Sequence, residues 1–235
     1  MKKGLKSLRS KIPSKFSVSK ARTIQHELSK KVIKEDMFDF SKLKYIAGVD
    51  VAYTDEVAIG AISVHEFPSL TQVEVKTAVV KVRFPYIPTL LSFREVHPVI
   101  PAIKRLEANP DIFMVDGHGL AHPYRLGFAS HLGVILGKPS IGVAKRLLCG
   151  RVEKPPKKAG EYTLIKDDSE VIGAALLIKD GQKPIYVSIG HMISLETAIK
   201  IVRITAKKYR IPEPIRAAHQ AANEAKRRFI MQAEK

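Results

Sequence analysis

The segment from Ile112 to Leu132, IFMVDGHGLAHPYRLGFASHL, constrains the fold more than any other part of the chain. Its apolar run, Ile112 to Val115, stops abruptly at Asp116, and a Gly-His-Gly turn follows. A short apolar run closed by turn residues reads as a buried strand, which puts the Asp116 carboxylate at the C-terminal tip. Open α/β sheets present their functional groups at that end. His122 and Pro123 then lead into a helix expected from about residue 123, so strand, turn and helix succeed one another as in a βαβ unit.

The flanking segments extend this pattern. Residues 45–53, 57–66 and 73–84 are rich in β-branched side chains and are separated by short polar turns, which predicts an antiparallel meander. A helix from about Pro88, the strand ending at Asp116, the helix from Pro123 and a strand near 140–143 then alternate, which implies parallel pairing. The expected architecture is therefore α/β. Its central mixed five-stranded sheet has three antiparallel strands and then two parallel ones, with helices on its faces. Shorter strands near 162–166, 171–178 and 185–189 and helices over 195–209 and 214–231 add a small β part and a helical C-terminus. Val18, Ala21, Ile24, Leu28 and Val32 have helical spacing, so residues 17–36 read as a surface helix. No convincing linker interrupts the chain, so residues 17–235 are read as one domain behind a basic, mobile arm over 1–16.

Charge points to the partner. Lys and Arg number 40 against 23 Asp and Glu, a formal net charge of +17. Such an excess suits a phosphate-rich polymer, nucleic acid ahead of membrane surface. A lysine-rich proteome is the alternative source of the same imbalance. The single cysteine, Cys149, excludes an intrachain disulfide and fits a reducing cytoplasm. No apolar run approaches the ~18 residues of a membrane span, and the basic N-terminus lacks the apolar stretch of a secretory signal. The expectation is a cytoplasmic monomer.

Three acids stand where acids are expensive. Asp50 interrupts the otherwise apolar YIAGVDVAY, Glu95 lies four residues after Leu91 on the row that Val99 and Ile103 continue, and Asp116 ends its strand. Singly each has an ordinary explanation: a bulge or cap, an ion-pair partner, an Asx turn. In the expected topology, however, the first strand lies beside the strand of Asp116 and the intervening helix crosses the pair, so the three carboxylates converge. Their mutual repulsion calls for a divalent cation, and oxygen ligands in this number suit Mg²⁺ or Mn²⁺. Two such ions about 3.5–4 Å apart form a clamp for displacement at phosphorus. Nearby bases fit supporting parts: His122 to orient water or contact phosphate, Lys145 to neutralise transition-state charge, His219 to complete the metal shell. For each of these three, a purely structural role stays open. His118 and His131 are read as structural. Pro85-Tyr86-Ile87-Pro88 fixes a tyrosine between two prolines, which suits wedging into a base stack, or simply packing the loop.

These residues fall into five motifs: GVDVAY (Gly48–Tyr53), PYIPTLLSFRE (Pro85–Glu95), VDGHGLAHPYRLGFASHLGV (Val115–Val134), PSIGVAKRLLCG (Pro139–Gly150) and RIPEPIRAAH (Arg210–His219). In order and spacing they resemble the endonuclease V family. The resemblance implies a ribonuclease H-like fold and a Mg²⁺-dependent endonuclease that recognises deaminated bases, chiefly hypoxanthine, in DNA and possibly RNA. It implies cleavage of the second phosphodiester bond 3′ to the lesion, leaving 3′-hydroxyl and 5′-phosphate ends. By the same resemblance Asp50, Glu95 and Asp116 are the catalytic metal-binding acids, with His219 as a further metal-site residue. Lys145 and His122 become phosphate contacts and Tyr86, in its Pro85–Pro88 turn, the strand-separating wedge. Leu91, Gly119 and Gly127 line the base pocket. Two features depart from the pattern: Thr89 stands where glycine is expected, and the basic arm is longer. The competing readings are another ribonuclease H-like nuclease, such as a resolvase or hybrid nuclease, and a non-catalytic basic nucleic-acid-binding protein.

Overall fold

The computed structural model describes residues 17–206 and 209–233, and the arm expected over 1–16 lies outside them. The strands β1 (Tyr45–Tyr53), β2 (Val57–Glu66) and β3 (Gln72–Lys81) form the expected antiparallel meander. Two strands add in parallel, β4 (Ile112–Asp116) beside β1 and β5 (Ser140–Ala144) beside β4. The sheet does not stop at five. β6 (Tyr162–Asp167), β7 (Glu170–Leu176) and β8 (Ile185–His191) continue it, giving one eight-stranded sheet in the order β3-β2-β1-β4-β5-β8-β7-β6. All five residues of β5 are buried, so a free edge there would strand backbone N–H and C=O groups away from water. β8 supplies the missing partner by pairing antiparallel with β5.

Alternating side chains of the central strands feed two cores. Ile46, Ile112, Met114, Ile141 and Val187 pack on one face with α4 (Leu195–Thr205) and with Ile215 of α5 (Glu213–Ala233). Ala47, Val49, Phe113 and Val115 pack on the other with α2 (Leu91–Ile103) and α3 (Phe128–Leu136). Each fully buried isoleucine or methionine contributes about 1.5–3 kcal/mol from removal of apolar surface from water. The remaining helix, α1 (Val18–Ser29), is capped by Ser17, whose hydroxyl accepts the Lys20 N–H at 3.3 Å.

Several helix ends differ from the spacing-based expectation, each for a local reason. α1 stops at Ser29 because the chain turns away to join β8: the Ile33 N–H donates to His191 Nδ1 at 3.2 Å and the Ile33 carbonyl accepts from Met192. α2 begins at Leu91, not Pro88, because Thr89 has φ +66, outside the right-handed helical region. It then runs unbroken through Pro98 and Pro101. α2 packs chiefly on β2 and β3 rather than across β1 and β4; an ideal Cβ on Gly60 would lie 2.2 Å from the Pro98 carbonyl oxygen. α3 starts five residues later than expected, since Arg125 has φ +52 and the Gly127 N–H is taken by the Gly119 carbonyl at 3.0 Å. α4 ends at Thr205, short of the expected residue 209.

Candidate active site

Val49 pairs with Val115 across the parallel β1–β4 ladder, so Asp50, inside β1, and Asp116, at the end of β4, stand side by side one residue further on. Their face of the sheet is the one α5 covers. On that face Gly48 lets the helix come down onto β1: an ideal Cβ there would lie 1.9 Å from the Pro214 carbonyl oxygen. The close approach brings His219, from the second turn of α5, to the strand tips, with Nδ1 2.6 Å from Asp50 Oδ2. Asp50, Asp116 and His219 offer ligand atoms that lie within 4.8 Å of one another. Glu95 reaches toward them from α2 on the opposite face and stands outside that group, yet close enough to feel both aspartates. It borders the buried stripe of Ser92, Val96 and Val99 instead of lying within it.

The electrostatics are those of a site short of positive charge. Burial first, then the neighbouring aspartates, hold the Glu95 carboxyl well above the usual carboxylate range. Burial and Asp116 also raise Asp50, against the hydrogen bond from His219 and the Val51 N–H at 2.8 Å. Each aspartate is meanwhile matched by a nitrogen: Lys145 Nζ sits 2.6 Å from Asp116 Oδ2, as His219 does from Asp50. Two carboxylates and an imidazole, with a third carboxyl behind them, are a donor set that could hold a divalent metal ion. Asn223, one turn after His219, donates to the His219 carbonyl at 2.9 Å and approaches Nε2 at 3.1 Å, orienting the ring.

Other expected residues lie around this centre in different ways. His122 is buried and outside the metal-ligand group; its Nδ1 accepts the Tyr124 N–H at 3.2 Å. Burial, reinforced by His118, Arg22 and Arg125, depresses it to about 4, so the ring is neutral near pH 7. Tyr86 is 61% exposed in the turn between half-buried Pro85 and exposed Pro88, with half-buried Ile87 beside it. Leu91 opens α2. Gly119 and Gly127 have no free N–H: Gly119 donates to Ser188 Oγ at 2.9 Å and Gly127 to the Gly119 carbonyl. Both are packed against backbone, at the Ile189 and His118 carbonyls, so close approach explains their lack of a side chain.

Sequence reasoning missed three neighbours. His118, two residues past Asp116, is held at about 4 by burial, with the Asp116 carboxylate nearby and a buried Nδ1 that has no partner. Arg94 lies 4.5 Å over the Tyr53 ring and interacts with its hydroxyl, while its own Nε is likewise buried and unpartnered. A cavity of about 840 Å³ opens between Arg94 and Tyr86, rimmed also by Lys81 and Arg83. Arg94 directly precedes Glu95, and that adjacency alone was available as a signal.

The fold and the cluster of Asp50, Asp116 and His219 define the class: an α/β nuclease with an acid-and-histidine centre. Its relatives make the family specific. The family model for Endonuclease V matches residues 26–220. Endonuclease V of Dictyoglomus turgidum is 48% identical over 196 residues, covering 83% of this chain and 85% of that protein. The structure of the Streptomyces avermitilis endonuclease V is similar at a TM-score of 0.86 and 37% identity, over 95% of this chain and 98% of that one. The Ciona intestinalis endonuclease V, in complex with a 24mer DNA containing an inosine followed by a ribo-adenosine, gives a TM-score of 0.81 at 36% identity, over 90% and 98% of the two chains. The chain belongs to the endonuclease V family.

Proposed function

We propose that this chain is a Mg²⁺-dependent endonuclease of DNA repair, with Mn²⁺ as a substitute, acting on strands that contain deaminated bases, chiefly hypoxanthine. It hydrolyses the second phosphodiester bond 3′ to the lesion and leaves 3′-hydroxyl and 5′-phosphate ends. The observation that carries this reading is the convergence of Asp50, Asp116 and His219, with Glu95 behind them, where β4 ends beside β1. Asp50, Asp116 and His219, with the Glu95 carboxyl behind them, would hold a divalent cation, which when bound would supply Lewis acidity and charge neutralisation at the phosphate.

The remaining roles belong to the chain's own groups. Lys145 holds Asp116 in orientation and sets an ammonium beside the scissile phosphate. Asn223 keeps the His219 ring facing Asp50. His122, being neutral, serves as a hydrogen-bonding group to substrate and not as a cation. Tyr86, braced by Pro85, Ile87 and Pro88, enters the base stack, and the cavity beside it with its Lys81, Arg83 and Arg94 rim receives phosphate backbone. Leu91 contributes to the pocket for the flipped base. The net charge of +17, including the arm over 1–16, strengthens binding to any strand. The inosine-containing DNA bound by the Ciona intestinalis relative supports this substrate class, with inosine-containing RNA as a second substrate. No described helix is long and apolar enough to cross a membrane, and we place the enzyme in the cytoplasm as a monomer. The test is incubation with matched inosine-DNA, inosine-RNA and undamaged strands, with and without Mg²⁺, and mapping of the ends. Metal-dependent cuts one nucleotide beyond the lesion's 3′ neighbouring bond support the reading; equal cutting of undamaged strands sinks it.

A further inference from the structure

Thr89 is β-branched and sits at φ +66, a backbone conformation such residues rarely adopt unless their surroundings hold them there. Here the holding comes from α1, more than sixty residues away in sequence. Arg22 Nη2 donates to Thr89 Oγ1 at 2.6 Å and reaches the Pro88 carbonyl at 3.4 Å, and Nη1 donates to the Thr89 carbonyl at 3.3 Å. Gln25 Nε2 donates to the same Thr89 carbonyl at 2.7 Å, and its Oε1 accepts from Arg22 at 2.8 Å. Arg22 also lies 4.2 Å over the ring of Tyr124, whose N–H bonds His122. One guanidinium therefore ties together the loop that presents Tyr86 and the loop that carries His122.

The composition of α1 supports a purpose beyond stability. A helix docked only for stability buries apolar side chains. Among its described residues α1 buries Ala21 and the polar Gln25, and leaves Val18 and Ile24 exposed. Gln25 is fully buried, and its amide is directed at one strained carbonyl.

We propose that Arg22 and Gln25 are positioning residues that lock the Tyr86 loop against the His122 loop, so that strand opening at a lesion needs no ordering of the wedge. The proposal rests on the wedge reading of Tyr86 given above. Preorganisation of this kind favours the step that needs the ordered geometry. That step is required in duplex and not in single-stranded substrate. The Arg22 fork matters because a lysine ammonium cannot reach the hydroxyl and both carbonyls together.

The experiment measures kcat/KM on an inosine duplex and on the same strand alone for wild type, Tyr86→Ala, Arg22→Ala, Arg22→Lys and Thr89→Gly. The two Arg22 variants are also made in the Thr89→Gly background. Arg22→Ala and Arg22→Lys are expected to lower the duplex value tenfold or more. The duplex-to-single-strand ratio falls at least fivefold, in the direction of Tyr86→Ala, and hydrogen exchange at the Leu90 amide speeds up. With glycine at position 89 the turn forms unaided, and the same Arg22→Ala change costs less than threefold. Equal losses on both substrates, no loss, or an undiminished loss beside Gly at 89 overturns the proposal. A ratio unchanged by Tyr86→Ala overturns the wedge reading and the proposal with it, whereas a Tyr86 effect without an Arg22 effect overturns the clamp alone. Should Arg22→Ala not fold, Gln25→Leu keeps the guanidinium, removes the bond to the Thr89 carbonyl and the acceptor for Arg22, and carries the same expectations.

Discussion

Gly48→Ala tests how the site is assembled without touching a charged group. The added Cβ would lie 1.9 Å from the Pro214 carbonyl oxygen, 2.0 Å from its carbon and 2.6 Å from the Ile215 nitrogen. Nothing there is a flexible side chain. Gly48 pairs with Ser63 on one side and Met114 on the other, so β1 is held and α5 must give way. Restoring an ordinary 3.4 Å contact requires a shift of 3.4 − 1.9 = 1.5 Å. Added to the 2.6 Å His219–Asp50 contact, that shift carries it to 4.1 Å, beyond hydrogen-bonding range. Overpacking costs about 1–3 kcal/mol and the lost hydrogen bond about 1 more, which for a chain of this size lowers Tm by roughly 4–16 °C. Misplacing a catalytic group by about 1 Å costs on the order of 100-fold in rate. Calorimetry and cleavage of an inosine-containing strand read the two effects. The control is Gly137→Ala, at φ +60 with nothing within 4 Å, which loses about 1–2 kcal/mol of stability and no activity. A Gly48→Ala protein that melts and cleaves like wild type would refute the reasoning.

Three further outcomes are expected. His131 is held at about 4 by burial, its Nδ1 3.0 Å from Ser92 Oγ. Between the unfolded value of 6.5 and about 4 the unfolded chain binds the extra proton, so stability falls on acidification through that window, by up to about 3 kcal/mol from this residue. Urea melts of wild type and His131→Asn from pH 7 to 4 should differ by that slope, and parallel curves would contradict it. Tyr53→Phe removes a buried hydroxyl that interacts with Arg94 and should cost about 1 kcal/mol in a urea melt; unchanged stability would mean that Arg94 draws nothing from the hydroxyl. Asn223→Ala frees the His219 ring and should weaken metal affinity by about 10–100-fold, measured by titration calorimetry; unchanged affinity would mean that the ring needs no support.

The residues whose meaning is local were legible in the sequence. Asp116 announces itself by ending an apolar run, and Asp50 by interrupting one. The order of β1, β4 and β5 follows from the spacing of turns and helices, which is why the two acids were expected side by side. What escaped depends on contacts between distant segments. β5 looked like an edge because nothing in residues 140–144 says that β8 will pair with it. Gly48 reads as an unremarkable strand residue until Pro214 is placed on it. Gly119 and Gly127 read as base-pocket glycines, while the bonds of their N–H groups to Ser188 Oγ and to the Gly119 carbonyl were not legible. The helix expected from residue 123 begins at Phe128 because a left-handed Arg125, held by Asp167 and Glu170, interrupts it. Besides the His122 carbonyl, its guanidinium reaches these two acids more than forty residues away, where no periodicity can register them.

The account depends most directly on Asp116. In Asp116→Ala, Mg²⁺-dependent cleavage of an inosine-containing duplex should fall by more than about 1,000-fold while the Kd for the same duplex, measured without metal, changes less than about threefold. Cleavage that persists in that variant would contradict the assignment of the paired β1 and β4 carboxylates as the centre of the chemistry.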